Sequence, residues 1–496
     1  MNEIETIINY PFPQSRSYQG VLKPNDLSQE EMNQSIQKFY DDWKKKYLRR
    51  SNGTTPGGGY YINMKGTGGD GEEITTSEAH GYGMMIFVYM AGYDKMAKKY
   101  FNGMYNMYDQ HRSIINRNNM SWKIDKSELK SKDSDSATDG DLDIAFALLL
   151  ADKQWGSSTT TTSTHTSTTS EDNFINPINY LESAINLIQY GLKGGDIDTE
   201  TFRIKLGDWQ TENGYNTRSS DWMTDHFVAF QKATGDPFWG KVREEVYSVV
   251  EKITEKYSKE SGLMPDFIVG EKEDPEPKPA KPYFLEEKTD GDFSWNACRY
   301  PWRISLDYIM NGDKRSEEAA LRISEWIISS TSEKGEGRNG GKSKGKGKGR
   351  RKGKGKGKGK GKGKGKGKGK GKERGIDGEE EEEKEEGKGE GEGEGEGEGE
   401  KEKEKEEGVQ EKVGNVSKIY AGYTISPKPR KLVREEEAAF TAPMIVAATI
   451  KGNSGDQHQT FVNEGWRKIR GWQTDYYGDT INLLCQLVIS GNYWVP

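Results

Sequence analysis

Three carboxylates at alternate positions stand directly before an apolar run. Asp139, Asp141 and Asp143 precede residues 144–151, which the pattern predicts to form a buried helix. Asp139 is predicted to be the N-cap of that helix, where a carboxylate accepts backbone N–H groups. One acid at a cap is ordinary, but three acids beside an apolar core indicate sugar binding, metal binding or acid–base chemistry.

A second candidate acid, Glu78, is predicted to lie in the first turn of another helix. Two glycines follow it at Gly81 and Gly83, and they let another chain or a ligand approach closely. For Glu78 alone, the ordinary explanation is a first-turn acid favoured by the helix dipole. Together with Asp139, it becomes a candidate general acid, because hydrolysis of a glycosidic bond needs two carboxyl groups across a cleft.

Aromatic and basic residues near these acids suit a carbohydrate site. Tryptophan rings in loops can stack on the apolar C–H faces of a sugar, although a core position is the commoner role of any single aromatic residue. Arg299 and Arg303 are four residues apart, on one face of a predicted helix, where a buried arginine can pair with an acid. The residues predicted to bind substrate are Tyr82, Trp122, Asp141, Trp209, Asp221, Asn296 and Arg299.

The sequence contains no motif that indicates another kind of chemistry. The five histidines lack metal-ligand spacing, and no nucleophile elbow, phosphate loop or dinucleotide fingerprint occurs, so no metal or other cofactor is predicted. The 496 residues carry 73 basic and 80 acidic side chains, and two cysteines give no disulfide framework. No run is apolar enough to span a membrane, and no N-terminal export signal is visible. We expect a monomer with neither nucleic acid nor a membrane as partner.

Two low-complexity segments interrupt the chain. Residues 157–170 are rich in Ser and Thr and are predicted to form a flexible loop. Residues 333–415 contain a Lys-Gly repeat and then a Glu-rich repeat, which are predicted to be disordered because neither buries apolar surface. The simplest interpretation is a neutral loop insertion, since long loops cost little stability. The alternative, a basic arm that binds nucleic acid or an acidic surface, is disfavoured by the adjacent acidic block.

Outside these segments the hydrophobic periodicity predicts helices and no strands. The first helix opens with a capping box, Ser28 and Glu31. From the second helix on, the long loops with unusual polar residues precede the even-numbered helices. This alternation predicts an all-α fold, a closed double ring of six inner and six outer helices with the acids at one face. The predicted helices span residues 28–48, 77–93, 94–112, 139–152, 175–192, 219–234, 237–257, 293–310, 314–330, 435–450, 459–470 and 475–489.

Two of these motifs resemble glycoside hydrolase family 8. Residues 137–151 resemble the signature of that family, and residues 77–84 resemble its acid-bearing motif. The resemblance covers nearly the whole chain apart from the two low-complexity segments. It implies a single (α/α)6-barrel catalytic domain over residues 1–496, an inverting mechanism and secretion. It assigns the general acid to Glu78 and a sugar-binding, transition-state-stabilising carboxylate to Asp139.

The identity of the base separates the branches of this family. One branch, mostly cellulases and xylanases, uses an Asp at the position of Asn296, which cannot take up a proton. A second branch, similar to the Bacillus chitosanases, uses a Glu in the preceding long loop. The matching residue here is Glu286, with Glu287 as the alternative.

The resemblance therefore implies an endo-acting chitosanase that cleaves β-1,4 bonds. An acidic cleft lined by Glu78, Asp139, Asp141, Asp221 and Asp266 would attract this cationic polymer. An endo-β-1,4-glucanase or licheninase on the same scaffold is the alternative. From other classes, a non-catalytic scaffold and a carbohydrate-binding protein also stay open.

Overall fold

The helical periodicity of the sequence corresponds to twelve α-helices in the described part of a computed structural model. The structure describes residues 7–51, 58–64, 73–125, 135–158, 178–211, 214–332, 414–450 and 455–496. The predictions for most of residues 157–170 and for nearly all of 333–415 fall outside these ranges. The helices are α1 Gln29–Tyr47, α2 Ser77–Tyr89, α3 Ala97–Gln110, α4 Thr138–Trp155, α5 Tyr180–Asn186, α6 Thr224–Thr234, α7 Phe238–Tyr257, α8 Tyr300–Asn311, α9 Lys314–Thr331, α10 Ala438–Ala448, α11 Gly455–Ile469 and α12 Tyr476–Ile489.

The even-numbered helices form a closed inner ring. Helix α2 contacts α4, α4 contacts α6, and the sequence of contacts continues through α8, α10 and α12 back to α2. These helices are buried on nearly every side. The odd-numbered helices pack outside them and bury one face each, as α1 does with Ile36, Tyr40 and Trp43. The predicted (α/α)6 barrel is confirmed.

Local signals in the sequence fix several helix starts. The Ser28 hydroxyl accepts the Glu31 N–H and the Glu31 carboxylate accepts the Ser28 N–H, which is the predicted capping box of α1. Thr76 caps α2 through the Ala79 N–H, and Asp475 caps α12 through the Gly478 N–H. These caps place the N-termini of α2 and α12 at one face of the barrel.

The predicted N-cap at Asp139 is wrong. Helix α4 begins at Thr138, with Ala137 in an extended conformation at the N-cap, so Asp139 lies in the first turn. Its carboxylate is turned toward two arginines instead of toward the N–H groups of the following turn. Because the Asp139 carboxylate pairs with buried arginines, the N-cap position is occupied by Ala137, whose side chain makes no capping hydrogen bond.

Several further helix boundaries differ from the prediction, among them two at which the type of helix changes along the chain. The predicted helix 293–310 begins as a 3-10 turn, Ala297–Arg299, and becomes α-helical at Tyr300, next to a proline that suits a first turn. The predicted helix 175–192 is α-helical only over Tyr180–Asn186 and continues as a π-helix over Leu187–Asp196.

The prediction of no strands is also wrong. The described residues contain seven strands of two to four residues: β1 Leu48–Arg50, β2 Tyr60–Ile62, β3 Glu73–Thr76, β4 Lys123–Asp125, β5 Thr217–Arg218, β6 Phe267–Val269 and β7 Lys278–Pro279. They form the antiparallel sheets β1-β2, β3-β4 and β5-β6-β7. Strands this short are below the length at which alternation is detectable in a sequence.

The described helices and strands all belong to one unit, which joins Met1–Lys334 to Glu411–Pro496. Within the described ranges, no helix combines the length and apolarity needed to cross a membrane.

Candidate active site

A cleft of about 700 Å³ lies where the N-termini of four elements meet. Helices α2, α4 and α12 and the 3-10 turn before α8 each contribute side chains from their first residues. Helix N-termini stabilise negative charge, so this is the end of the barrel where acids are favoured. The residues lining the cleft are Met64, Thr76, Ser77, Glu78, Trp122, Ala137, Asp139, Arg218, Glu286, Glu287, Trp295, Asn296, Arg299, Asp475, Tyr476 and Tyr477.

Glycines let α2 and α4 approach closely at this end. A Cβ at Gly140 would lie 2.3 Å from the Ser77 hydroxyl, and a Cβ at Gly81 would lie 2.5 Å from the Cβ of Asp143. Any side chain at either position would therefore separate the two helices. The close approach brings Glu78 and Asp139 to the same arginine.

Arg299 joins the two acids. Its Nη1 donates to Glu78 Oε2 at 2.7 Å and to Asp139 Oδ2 at 2.8 Å, and its Nη2 donates to Asn296 Oδ1 at 3.0 Å. The side chain of Arg299 is 1% exposed. One buried guanidinium thus fixes the positions of both carboxylates relative to each other.

Arg218 provides a second cation for Asp139. Its Nη2 lies 3.2 Å from Asp139 Oδ1, while its Nε pairs with Asp221 at 3.1 Å. Burial alone would raise the pKa of Asp139, but Arg218 and Arg299 lower it to about 2. Asp139 is therefore ionised over the pH range in which enzymes commonly work.

The pKa of Glu78 is shifted in the opposite direction. Burial raises its pKa to about 7 although Arg299 draws it down, and the neighbouring Asp139 adds to the rise. The side chain is 19% exposed and faces the cleft, where the Tyr476 hydroxyl donates to Oε1 at 3.4 Å. Two carboxyls that share one arginine are thus separated into a proton carrier and a permanent anion, the division of roles that general acid catalysis needs.

A loop opposite these acids carries Glu286 and Glu287, which both line the cleft. The buried Asp290 carboxylate anchors this loop by accepting the backbone N–H groups of residues 285, 286 and 287 at 2.7–3.0 Å. Asn296 Nδ2 donates to Glu286 Oε2 at 2.8 Å. Since Asn296 also accepts from Arg299, a continuous chain of hydrogen bonds links Glu286 to Glu78 and Asp139.

Comparison with known proteins identifies the family to which this chain belongs. The model for glycosyl hydrolases family 8 matches residues 27–338. An endoglucanase from Bacillus sp. (strain KSM-330) is 33% identical over 98% of this chain and 82% of its own length. The chain belongs to glycoside hydrolase family 8.

Two further relatives extend the comparison. A beta-glucanase from Niallia circulans is 40% identical over 65% of this chain and 73% of its own. The apo structure of a beta-1,3-1,4-glucanase from Paenibacillus sp. X4 matches with a TM-score of 0.72 at 32% identity, over 98% of this chain and all of that one. Rex8A from Paenibacillus barcinonensis, at 15% identity and a TM-score of 0.60, supports the fold alone.

Several aromatic side chains line the cleft of this family 8 enzyme. The predicted Trp122 is among them. Trp295, which is 44% exposed, and the pair Tyr476 and Tyr477 are also there, although they were not predicted as site residues. The prediction that the N-termini of the inner helices and their acids lie at one face would have selected the two tyrosines only if it had been extended from acids to aromatic residues.

Four of the residues predicted to bind substrate, Tyr82, Asp141, Trp209 and Asp221, do not line the cleft. Tyr82, Asp141 and Asp221 are fully buried. Tyr82 accepts from Arg299 at 3.2 Å and Asp221 holds Arg218, so these two side chains support the arginines rather than reach a sugar. Asp266 was also predicted to line the acidic cleft. It is only 4% exposed, and its carboxylate accepts the backbone N–H groups of Ser294 and Ala297.

Trp209 lies in a separate, smaller pocket. It is 37% exposed, and it lines a cavity of about 300 Å³ together with Phe284 and Leu285. Leu285 directly precedes Glu286, so this pocket and the cleft share one loop.

A second charged layer lies one turn below the first on the same helices. Arg303 donates to both oxygens of Asp143, at 3.0 and 2.5 Å, and His226 contacts Asp143 and Asp225 at 3.0 Å each. All four side chains are buried. Among the described residues, no group of three or more His, Cys, Asp or Glu side chains is arranged to hold a metal ion.

Proposed function

We propose that this family 8 enzyme is an inverting, endo-acting β-glucanase, with Glu78 as general acid and Glu286 as general base. The observation that carries the proposal is the arginine shared by Glu78 and Asp139. It places a carboxyl that holds a proton up to about pH 7 beside a carboxylate that stays ionised. A glycosidase needs a proton donor at the bond that it cleaves, and an anion beside that donor stabilises the positive charge that develops on the sugar.

In the proposed reaction, Glu78 donates its proton to the glycosidic oxygen as the bond to the anomeric carbon breaks. The Asp139 anion stabilises the positive charge that develops on the sugar ring. A water molecule attacks the opposite face of the ring and gives its proton to Glu286, which the exposed loop leaves open to solvent. The anomeric configuration inverts, and proton exchange with solvent restores both carboxyls.

The names of the relatives favour a glucan as substrate. Two relatives that match 98% of this chain at more than 30% identity are named as an endoglucanase and a beta-1,3-1,4-glucanase. Aromatic residues such as Trp122 and Trp295 supply flat surfaces suited to glucose rings.

Chitosan, the substrate implied by the sequence resemblance, is the second candidate. The cleft lining contains five carboxyl groups, from Glu78, Asp139, Glu286, Glu287 and Asp475, of which only Glu78 is proposed to hold a proton, and two guanidinium groups. An excess of negative charge attracts a cationic polymer.

A substrate comparison separates the two candidates. Initial rates are measured on mixed-linkage β-1,3-1,4-glucan, carboxymethyl cellulose and chitosan, and the first anomer released is identified by proton NMR. We expect the fastest hydrolysis on the mixed-linkage glucan and release of the α-anomer. Faster hydrolysis of chitosan would favour the second candidate, and release of the β-anomer would contradict inversion.

Three glutamine variants test the residue roles. Glu78→Gln and Glu286→Gln should each lower kcat by about 10²–10⁴-fold, the usual contribution of a positioned acid or base. Glu287→Gln is the matched control, since Glu287 lines the same cleft on the same loop, and it should retain most activity. If Glu287→Gln abolishes hydrolysis and Glu286→Gln does not, Glu287 is the base.

A further inference from the structure

Three carboxylates that the proposed reaction does not use are buried together behind the cleft wall. Asp141 and Asp196 are fully buried, and Asp208 is 4% exposed. In the described part of the chain, none of the three takes part in an ion pair. Buried carboxylates without a cation are unusual, because an unpaired buried charge is strongly unfavourable.

Hydrogen bonds connect Asp196 and Asp208 to surrounding backbone and side-chain groups. Asp208 accepts the Ser136 N–H at 2.8 Å and the Ser113 hydroxyl at 2.5 Å. Asp196 accepts the Asn119 amide at 3.0 Å on each oxygen. These contacts tie the loop before β4 to the segment that leads into α4.

Only one of the two carboxyl oxygens of Asp141 has a hydrogen-bond partner among the described residues. One of its oxygens accepts the Met120 N–H at 2.8 Å. The other is buried and has no hydrogen-bond partner in the described residues. An unpartnered oxygen is far less costly on a neutral carboxyl than on a carboxylate.

The charges around the cluster favour a retained proton. Burial raises the pKa of Asp141, and Asp196 adds to the rise; burial and then Asp208 raise the pKa of Asp196. The cations nearby oppose this only partly. Arg112, which follows the end of α3, is occupied by Asp109 and by the Asn118 carbonyl, and Lys205 acts against the rise in the pKa of Asp196. Tyr108 of α3 also faces Asp141.

We infer that Asp141 retains its proton beside Asp196 and Asp208 and that the three side chains act as positioning residues for the cleft wall, an inference that rests on the proposed function. The cluster joins three segments that carry parts of the site. Residues 113–121 lead to Trp122, residues 136–141 carry Asp139, and residues 196–208 lead to Trp209. When the proton leaves at alkaline pH, the three segments repel one another and the wall loses its geometry.

The first test is the pH dependence of stability. A carboxyl whose pKa is raised on folding contributes stability that is complete below its unfolded pKa of about 3.9 and is lost as the pH rises through the folded pKa. Asp141→Asn keeps an oxygen for the Met120 N–H but carries no charge. We expect its Tm to exceed that of the wild type by about 2–4 °C at pH 9, and this advantage to shrink toward pH 5.

Asp307→Asn is the matched control. Asp307 is also fully buried, but it pairs with Arg243 at 2.8 Å, so the same substitution should lower Tm at every pH. Asp196→Asn serves as a second variant of the cluster and should change Tm in the same direction as Asp141→Asn. The inference is overturned if both cluster variants behave like Asp307→Asn, or if their Tm follows the wild-type dependence on pH.

The second test measures positioning without catalysis. In a Glu78→Gln background, which removes the titration of the proposed acid, binding of a cello-oligosaccharide is followed by tryptophan fluorescence from pH 6 to 10. We expect affinity to fall by tenfold or more at alkaline pH when Asp141 is present and to stay level with Asp141→Asn. Equal losses with and without Asp141 would contradict the inference. Failure to bind at any pH would count against a glucan substrate, while the Tm comparison still decides the role of the cluster.

Discussion

Arg299 is the residue that contacts both candidate acids of this site. It is buried against Tyr82 and contacts both Glu78 and Asp139 through one nitrogen. Because Arg218 approaches the far side of Asp139, the positive charge acts mainly on that acid. Glu78 is left with burial as the dominant influence, and burial favours its protonated form.

The pH dependence of hydrolysis follows from this asymmetry. A general acid works only while protonated, so kcat/KM should fall as the pH rises through about 7, the raised pKa of Glu78. An unperturbed glutamate would lose activity above about pH 4.3. A pH–rate profile on soluble glucan measures the difference, and an alkaline limb centred below pH 5 would contradict the buried acid.

Asn296 offers a second test at the residue scale. It holds Glu286 and lies beside Arg299, at the position where the resemblance places an aspartate base in other family members. Glu286→Ala should lower kcat by about 10²–10⁴-fold. Adding Asn296→Asp should restore part of the lost rate, since a carboxylate then faces the cleft, although its pairing with Arg299 will weaken it as a base.

The control for this rescue is Asn296→Ala in the same Glu286→Ala background, which supplies no carboxylate. The measurement is kcat for each double variant, with Tm recorded to verify folding. If the aspartate and alanine double variants are equally inactive while both are folded, position 296 is not within reach of the reacting water.

The sequence predicted that Glu78 and Asp139 lie in the same site, but it did not predict which side chains position them. Glu78, Asp139 and Asn296 were identifiable from local motifs and family resemblance, and all three line the cleft. Tyr82 and Asp221 were expected to bind substrate, yet both hold arginines below the surface. Whether a polar side chain faces the cleft or the layer behind it depends on contacts between distant helices, which no local pattern records.

At the scale of elements, the inner helices carry two charged layers one turn apart. Asp139 and Asp143 are four residues apart on α4, and Arg299 and Arg303 are four apart at the start of α8. Each arginine pairs with the acid at its own level. The lower pair has no access to solvent, and His226 of α6 completes it.

The lower layer should make stability dependent on the protonation of His226. Burial alone would lower the pKa of His226, but Asp225 and Asp143 raise it above its usual value. Its stabilising contribution is therefore complete below the unfolded pKa of about 6.5 and is lost as the pH rises through the folded pKa. His226→Gln should lower the unfolding free energy by about 3–5 kcal/mol at pH 6 and by less at pH 9.

Urea unfolding at the two pH values measures this change. His458→Gln is a suitable control, because His458 is also buried but its pKa is lowered, mainly by burial. The stability difference for that control should grow from pH 6 to pH 9, the opposite trend. A loss for His226→Gln that is the same at both pH values would contradict a charged His226.

The helices were more predictable than the short elements between them. Long amphipathic helices such as α1 and α7 have a periodicity that extends over several turns, and the predicted ranges agree with them within about two residues. The 3-10 turn that carries Arg299 and the two-residue strand that carries Arg218 lack such a pattern. These short elements hold the two arginines of the site, so the positioning of the site was the part least accessible from sequence.

At the scale of the whole molecule, the described residues on the two sides of the charged segment lie next to each other. Helix α9 ends at Thr331, and the Asn415 N–H donates to the Thr331 hydroxyl at 3.2 Å. A Cβ at Gly414 would lie 3.0 Å from the Cα of Ile328, so the returning chain packs against the same helix. A short linker can therefore connect these two points.

Replacing residues 335–412 by about eight Gly and Ser residues should leave glucan hydrolysis unchanged. Loop-closure entropy depends only weakly on length, so this shortening is expected to stabilise the barrel by at most about 2 kcal/mol. Every described residue that lines the cleft lies outside the replaced segment, which connects the end of helix α9 to the residues that lead into α10. Equal kcat and KM for the two proteins, with Tm unchanged or slightly higher, is the expected result. A folded deletion variant with a raised KM would instead assign the segment a part in capturing the polymer.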